Sequence, residues 1–442
     1  MDTDSNGSFG MALKAPTIRQ NGLTIQIPKD AVPGQHWITA VERITQLQAQ
    51  VPFSVWGLDW PQFHYGPDRT GFNPNEKVLS PETVGNLTTR WKYSAGGYVR
   101  NSATVAYDLV FINFGGLHAL NANTGALLWT FPAPGGEYNA PAVVSGVVYL
   151  NSDDGYLYAL NAFTGVVLWK SLVDDTAYAT SPAVANGVVY VGSSDFNAYA
   201  LDAGTGAVLW KFPTGQVIYA SPTVANGVVY VGSYDSQVYA LDAGTGALLW
   251  KFATLYPVDA APVVANGIVY ATSDDHNIYA LNASTGSLVW QYATGSYIFG
   301  SPAVANGVVY VASGDHNVYA LDAGTGTLLW KYTTGADVVS SPALANGVLY
   351  FGSEDGNIYA LDAASGSLLW SYTTVWAIFG PSPAVVNGMV YIGSDDGNFY
   401  AFGLPNQQMS EKFSPPERPD PARLRPDWTL QPNREVTSPF MK

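Results

Sequence analysis

The chain has no cysteine, which excludes disulfides, thiolate metal sites, cysteine nucleophiles and Cys-x-x-Cys redox chemistry. It is also short of charge: 12% of residues, against roughly 25% in an average soluble protein. No window approaches the roughly 18 uncharged apolar residues that a membrane helix needs. The opening MDTDSNGSFG has neither the basic nor the apolar region of a signal peptide, so we expect any export signal to have been removed or never to have been present. Basic residues are scarce in the middle, where residues 92–402 hold 6 Lys/Arg against 21 Asp/Glu. An acidic body with few cations repels phosphate backbones and anionic membrane surfaces, which leaves cations, neutral glycans and proteins as partners. GxSxG, HExxH and GxxxxGK[ST] are all absent. The GTG at 204–206, 244–246 and 324–326 lacks the third glycine and the following helix of a dinucleotide site.

What is present is a repeat. The 442 residues are 47% hydrophobic and 13% aromatic, enough for a large core. Trp91, Trp129, Trp169, Trp210, Trp250, Trp290, Trp330 and Trp370 are spaced by 38, 40, 41, 40, 40, 40 and 40 residues. A period near 40 means a solenoid or a propeller. One unit, SPTVANGVVYVGSYDSQVYALDAGTGALLWKFAT, reads as four short strands rich in Val, Tyr, Leu and Trp, each closed by turn residues. Asn-Gly at 186–187, 226–227, 266–267, 306–307, 346–347 and 387–388 suits tight hairpins at positive φ. Four strands per unit is one blade of an all-β propeller.

Eight blades are expected. The third-strand motif appears as LHAL at 117–120 and then begins at Tyr158, Tyr199, Tyr239, Tyr279, Tyr319, Tyr359 and Tyr400. The last unit has no Trp strand of its own, and the Trp91 strand has no unit before it. Pairing the segment around Trp91 with the strand ending near Phe402 closes the ring without leaving an edge there. The eight repeat tryptophans and the YAL tyrosines are assigned to packing between blades. Five of the central basic residues, Lys92, Lys170, Lys211, Lys251 and Lys331, each follow a Trp, and these W-K lysines are expected along the outermost strands, where charge discourages edge-to-edge aggregation.

The repeat SPAVANGVVYVGSxDxxxYALDAxTGxxLWxF resembles the pyrroloquinoline-quinone (PQQ)-type propeller repeat over residues 91–402. That repeat is shared by quinoprotein dehydrogenases and by the lipoprotein scaffold of the outer-membrane β-barrel assembly machine. DWPQFHYGPDRTGFNP at 59–74 resembles the lead-in that often precedes such propellers. The organisation expected is therefore a β segment at 1–58, a lead-in linker at 59–90, the propeller at 91–402 and a tail at 403–442. Residues 17–55 alternate apolar and polar around a Pro-Gly turn, read as three short strands, and resemble the closing half of an immunoglobulin-like surface domain. The expectation is that the chain is a piece of a longer surface protein or that another chain supplies the missing strands. The tail carries eight prolines, including PPERPDPARLRP, and reads as an extended segment suited to docking on the propeller or on a neighbouring subunit.

The resemblance to quinoprotein dehydrogenases implies an alternative, an enzyme with PQQ and Ca²⁺ on the propeller axis. The donors on offer are Glu137, Asn139 and Asp259, from separate blades, with Asp259 as base, and the vicinal disulfide of those enzymes is impossible here. His276 and His316 share a repeat position and read as turn residues. DxDxNG at 2–7 starts like a calcium loop but has Leu13 where the glutamate belongs. The aspartates Asp154, Asp195, Asp235, Asp275, Asp315, Asp355 and Asp396 recur four residues before the YAL aromatic and read as hairpin caps. They share a propeller face with the blade-to-blade crossovers, which carry Tyr98, Arg100, Tyr138, Tyr178, Tyr219, Asp259, Tyr297, Phe299, Trp376 and Phe379. An acidic rim around an aromatic funnel suits a glycan, a cation or a peptide, the competing reading being that the aromatics only plug the funnel. The expectation is a non-catalytic scaffold outside the cell or on its surface, with no metal or resident cofactor. Its partners are proteins, including copies of itself assembling into a fibre through both extensions; an envelope scaffold for one specific protein partner is the third reading.

Overall fold

The structure, a computed structural model, describes residues 59–133, 139–173 and 180–405, together with four strand backbones before them. Those four strands form two hairpins, Thr17–Gln20 with Leu23–Gln26 and Gly34–Val41 with Gln48–Val55. The sequence led us to expect three strands, and the extra one comes from pairing Gln20 with Leu23 across an Asn-Gly dipeptide, the strongest short hairpin signal.

The described remainder is an eight-bladed ring of four-stranded antiparallel sheets. Blades 1 to 7 are contiguous, at 104–131, 142–172, 183–213, 223–253, 263–293, 303–333 and 343–373. Blade 8 joins 384–403 to Thr88–Ser94 as its outermost strand, with Trp91 opposite Ala401, so the ring closes as the repeat arithmetic demanded. The W-K lysines are exposed on the outermost strands.

Turn chemistry follows the sequence. Each Asn-Gly pair sits between the first and second strands with both residues left-handed, as in Asn266 (φ 51°) and Gly267 (φ 78°). Blades 1 and 2 make the same turn with Tyr107-Asp108 and Ser145-Gly146. At the outer edge every repeat Trp donates its indole N–H to a carbonyl, seven of them to the turn after the next blade's third strand, as Trp250 does to Ala283 O at 2.9 Å. The ring of that Trp lies on the turn glycine, here Gly286. Six second-strand tyrosines donate to the same carbonyls, for example Tyr230 to Ala283 O at 3.3 Å. At the seam into blade 8 the chain leaves where that turn would form. Trp370 therefore bonds Leu87 O, and the buried Tyr350 hydroxyl has no hydrogen-bond partner among the described residues.

The segment expected to be a linker does structural work. Each inner strand points a mid-strand amide at the axis, and a buried amide needs a partner. Residues 60–73 coil through the axis and supply partners to the eight blades in order. Trp60 exchanges two backbone bonds with Val105, Pro61 O accepts from Val143, and the Gln62 amide brackets the backbone of Val184. Pro67, Asp68, Thr70 and Gly71 carbonyls accept from Val224, Val264, Val304 and Leu344, and Asn73 donates to Val385 O. This coil enters and leaves beside the Asn-Gly turns, since Asp59 takes a backbone bond from Tyr107 and Asn346 donates to Leu79 O. The axis is thus filled from that face, and among the described residues the lead-in leaves the crossover face uncovered.

Candidate functional site

The floor of the site is the top of this coil. Arg69 is fully buried, and its guanidinium donates to the carbonyls of Phe63, Ser181, Pro182 and Pro222 at 2.7–3.1 Å. Burial pulls its pKa down to about 9. His64 spans the axis, with Nδ1 2.7 Å from Arg69 O and Nε2 2.8 Å from Pro342 O; burial lowers its pKa to about 4, while the two carbonyl acceptors favour the doubly protonated ring. A side chain at Gly71 would overlap that imidazole, which fixes glycine there. Around the floor, serine hydroxyls link adjacent inner strands: Ser181 Oγ accepts from Ala140, Ser221 Oγ from Ser181, Ser341 Oγ from Ser301, Ser382 Oγ from Ser341 and Ser102 Oγ from Ser382.

Above the belt lies the rim. Each described crossover buries one apolar residue completely, namely Val99, Ile218, Val258, Ile298, Val338 or Ile378, and the next residue faces the funnel. Those next residues are Arg100, Tyr219, Asp259, Phe299, Val339 and Phe379. A constant backbone bond ties each hairpin tip to the crossover of its own blade: Tyr234 to Val217 O, Asp274 to Pro257 O, Gly314 to Tyr297 O, Glu354 to Asp337 O and Asp395 to Ala377 O. It brings a second variable side chain beside each rim residue. Those partners, Tyr234, Asp274, Glu354 and Asp395, were not picked out from the sequence. Their signal was there, as the one position that changes identity immediately before the periodic aspartate.

The rim therefore changes chemistry blade by blade. On blades 8 and 1, Arg100 makes a bidentate pair with Asp395, Nε to Oδ1 at 2.9 Å and Nη2 to Oδ2 at 2.8 Å. Its guanidinium carbon lies 4.7 Å from the Tyr98 ring centre and 5.0 Å from that of Phe379, and Trp376 stands 6.2 Å from Tyr98. Blade 4 contributes Tyr219 edge-on to Tyr234 at 5.3 Å. Blade 5 contributes Asp259 and Asp274, each with one buried carboxylate oxygen that has no hydrogen-bond partner among the described residues. Burial and then the Asp274 charge push Asp259 up to about 7, and burial and then Asp275 push Asp274 up to about 6. Blade 6 stacks Tyr297 against Phe299 at 4.5 Å, and Tyr297 donates its hydroxyl to Asp337 of blade 7. His316 lies 3.1 Å from the same carboxylate, and Glu354 is raised by burial and by Asp337. Among the described residues Trp376, Tyr98, Phe299 and Tyr219 are 56%, 49%, 43% and 38% exposed. Tyr138 and Tyr178 lie outside the described residues.

The periodic aspartates cap their hairpins. Each accepts a hydrogen bond from the hydroxyl of its YAL tyrosine, as Asp275 does from Tyr279 at 2.7 Å, and from the amide two residues on. His276 and His316 occupy the left-handed tip of their hairpins, at φ 72° and 69°. The donors considered for a calcium-bound quinone are not seen assembled among the described residues. Glu137 is outside the described residues, and Asn139 accepts from Asn113 and donates to Asn151 O, both at 2.6 Å. Asp259 stands three blades further round the ring. Among the described residues no group of three or more His, Asp or Glu side chains is placed to hold a metal ion.

Two family descriptions match the chain. The β-propeller of the beta-alanine-activating enzyme covers residues 173–418, and the outer membrane protein assembly factor BamB covers residues 83–216. No curated relative matches in sequence. Among solved structures, a europium-containing methanol dehydrogenase superposes with a TM-score of 0.68 at 15% identity, covering 78% of this chain and 98% of its own. The quinohemoprotein alcohol dehydrogenase of Comamonas testosteroni gives 0.66 at 16%, covering 80% and 82%. BamB from Moraxella catarrhalis gives 0.61 at 21%, covering 73% and 99%. At these identities the likeness is one of fold.

Proposed function

The chain belongs to the PQQ-like β-propeller family that includes the propeller of the beta-alanine-activating enzyme, and on that premise we propose that it is a non-catalytic binding and assembly scaffold. We place it outside the cell or on its surface and have it associate with copies of itself through the segments flanking the propeller. The observation that carries this reading is the asymmetry of the axis. One end is filled by the chain's own lead-in, and the other presents exposed aromatics set between carboxylates. Such a surface takes aromatic, sugar or cationic groups by stacking and charge, as protein interfaces rich in Tyr and Trp do. The low charge of the body and the partial immunoglobulin-like lead-in support the surface location.

Negative-stain electron microscopy and sedimentation velocity of the full chain, with no ligand added, test it. Rings or fibres at micromolar concentration are expected. Isolated discs at every concentration would overturn self-association and leave a scaffold for a different protein, the reading favoured by the match of residues 83–216 to an assembly factor.

A further inference from the structure

The proposed self-association has a direction, which the fold sets. The third strand of blade 8, Asn398–Gly403, starts at the hairpin beside the crossovers and runs away from them, so Pro405 lies on the Asn-Gly face. Asp59 lies on that same face, beside the Tyr107-Asp108 turn. The two described ends from which the extensions start therefore share one face, opposite the aromatic rim.

The last 37 residues, 406–442, hold six basic residues against five acidic ones, so what they offer the rim is individual groups and not a net charge: Arg418, Arg423, Arg425 and Arg434, set among prolines. As polyproline II they would span on the order of 110 Å at about 3.1 Å per residue. That far exceeds a strand such as Asn398–Gly403, whose 6 residues rise roughly 20 Å. Within residues 92–402 the only basic residue not following a repeat Trp is Arg100, and it shows how the rim holds a guanidinium: bidentate to Asp395, between two aromatic rings. The arc across blades 5 to 7 offers the same kinds of group, the carboxylates Asp259, Asp274 and Glu354 and the rings Tyr297 and Phe299, with Arg100 and His316 as the charged neighbours of Glu354. A planar guanidinium suits carboxylate and ring together in a way that a lysine ammonium does not.

We propose that the arginine- and proline-rich tail of one copy docks on the crossover rim of the next, its guanidinium groups entering the carboxylate and aromatic arc of blades 5 to 7. This rests on the self-association proposed above. Because the tail starts from the face opposite the rim, the contact is head-to-tail and need not close, so it propagates into a filament.

The test compares three full-length proteins by sedimentation velocity: the wild type, a tail variant with Arg418→Gln, Arg423→Gln, Arg425→Gln and Arg434→Gln, and a rim variant with Asp259→Asn, Asp274→Asn and Glu354→Gln. Melting temperatures confirm that the carboxamide variant is folded, and 0.5 M NaCl on the wild type weakens the same contact without any mutation. Each variant alone should associate at least tenfold more weakly than the wild type. An equimolar mixture of the two should form a dimer and stop, because one copy supplies the only working tail and the other the only working rim. A wild type that assembles while either variant assembles equally well would overturn the tail-on-rim contact and leave self-association standing. A mixture that stays monomeric would also overturn it. A wild type that is monomeric throughout would remove the underlying reading.

Discussion

Two glycines with the same backbone conformation separate the contribution of the tryptophan contacts from that of the turns. Gly227 (φ +79°) has open space where a Cβ would go, whereas a Cβ on Gly286 (φ +70°) would sit 2.6 Å from Cδ2 and Cε3 of Trp250. Gly227→Ala incurs only the left-handed penalty, about 1–2 kcal/mol. Gly286→Ala incurs the same penalty and must also displace a ring that is 8% exposed and hydrogen-bonded to Ala283 O, an overpacking cost of about 1–3 kcal/mol. The expected totals are about 1–2 and about 2–5 kcal/mol, read as shifts in the guanidinium midpoint followed by circular dichroism. In a Trp250→Ala background the obstacle is gone, and the cost of Gly286→Ala should fall to that of Gly227→Ala. Equal costs in the wild-type background, or a difference that survives removal of Trp250, would refute the view that the ring is held together blade to blade by Trp seated on a turn glycine.

Other expectations follow from the axis and the rim. Arg69→Met leaves four buried carbonyls without their donor, and it should cost about 3–5 kcal/mol in thermal or denaturant unfolding and open the lead-in to proteolysis near residues 75–84. An unchanged melting temperature would mean that the coil is held by its backbone bonds alone. The pH dependence of Asp259 has a defined sign. Its folded pKa of about 7 lies above the model-peptide 3.8, so the stability it contributes is fully present below about pH 4 and is lost as pH rises to 7. Asp259→Asn should therefore melt higher than the wild type at pH 8, with the gap closing toward pH 4; a gap independent of pH would show that Asp259 is ionised in the folded protein near neutrality.

The blade count, the ring closure at Trp91 and the turn types were legible in the sequence because each rests on local physics repeated every forty residues. Asn-Gly imposes its own turn, alternation imposes its own strand, and the unpaired half-units at 88–94 and 384–403 can only complete one another. The rim was half legible. Tyr219, Asp259, Phe299 and Trp376 could be placed on one face from topology, but their partners Tyr234, Asp274, Glu354 and Asp395 could not. The variable position before each periodic aspartate marks them, but what brings them to the rim is a backbone bond between two loops, which the spacing alone does not give. Least legible was the segment 59–73, which looked like a lead-in and is the axial core of the ring. Its contacts join residues as far apart as His64 and Pro342, or Asn73 and Val385, and none of them exists until all eight inner strands stand round the axis with their amides turned inward. The sequence by itself determined the blades, since their bonds lie within one repeat or between neighbours. Only the tertiary structure decided which end of the axis is filled and which face is left to bind, because that depends on where a ring of otherwise equivalent strands finds partners for its inward-facing polar groups.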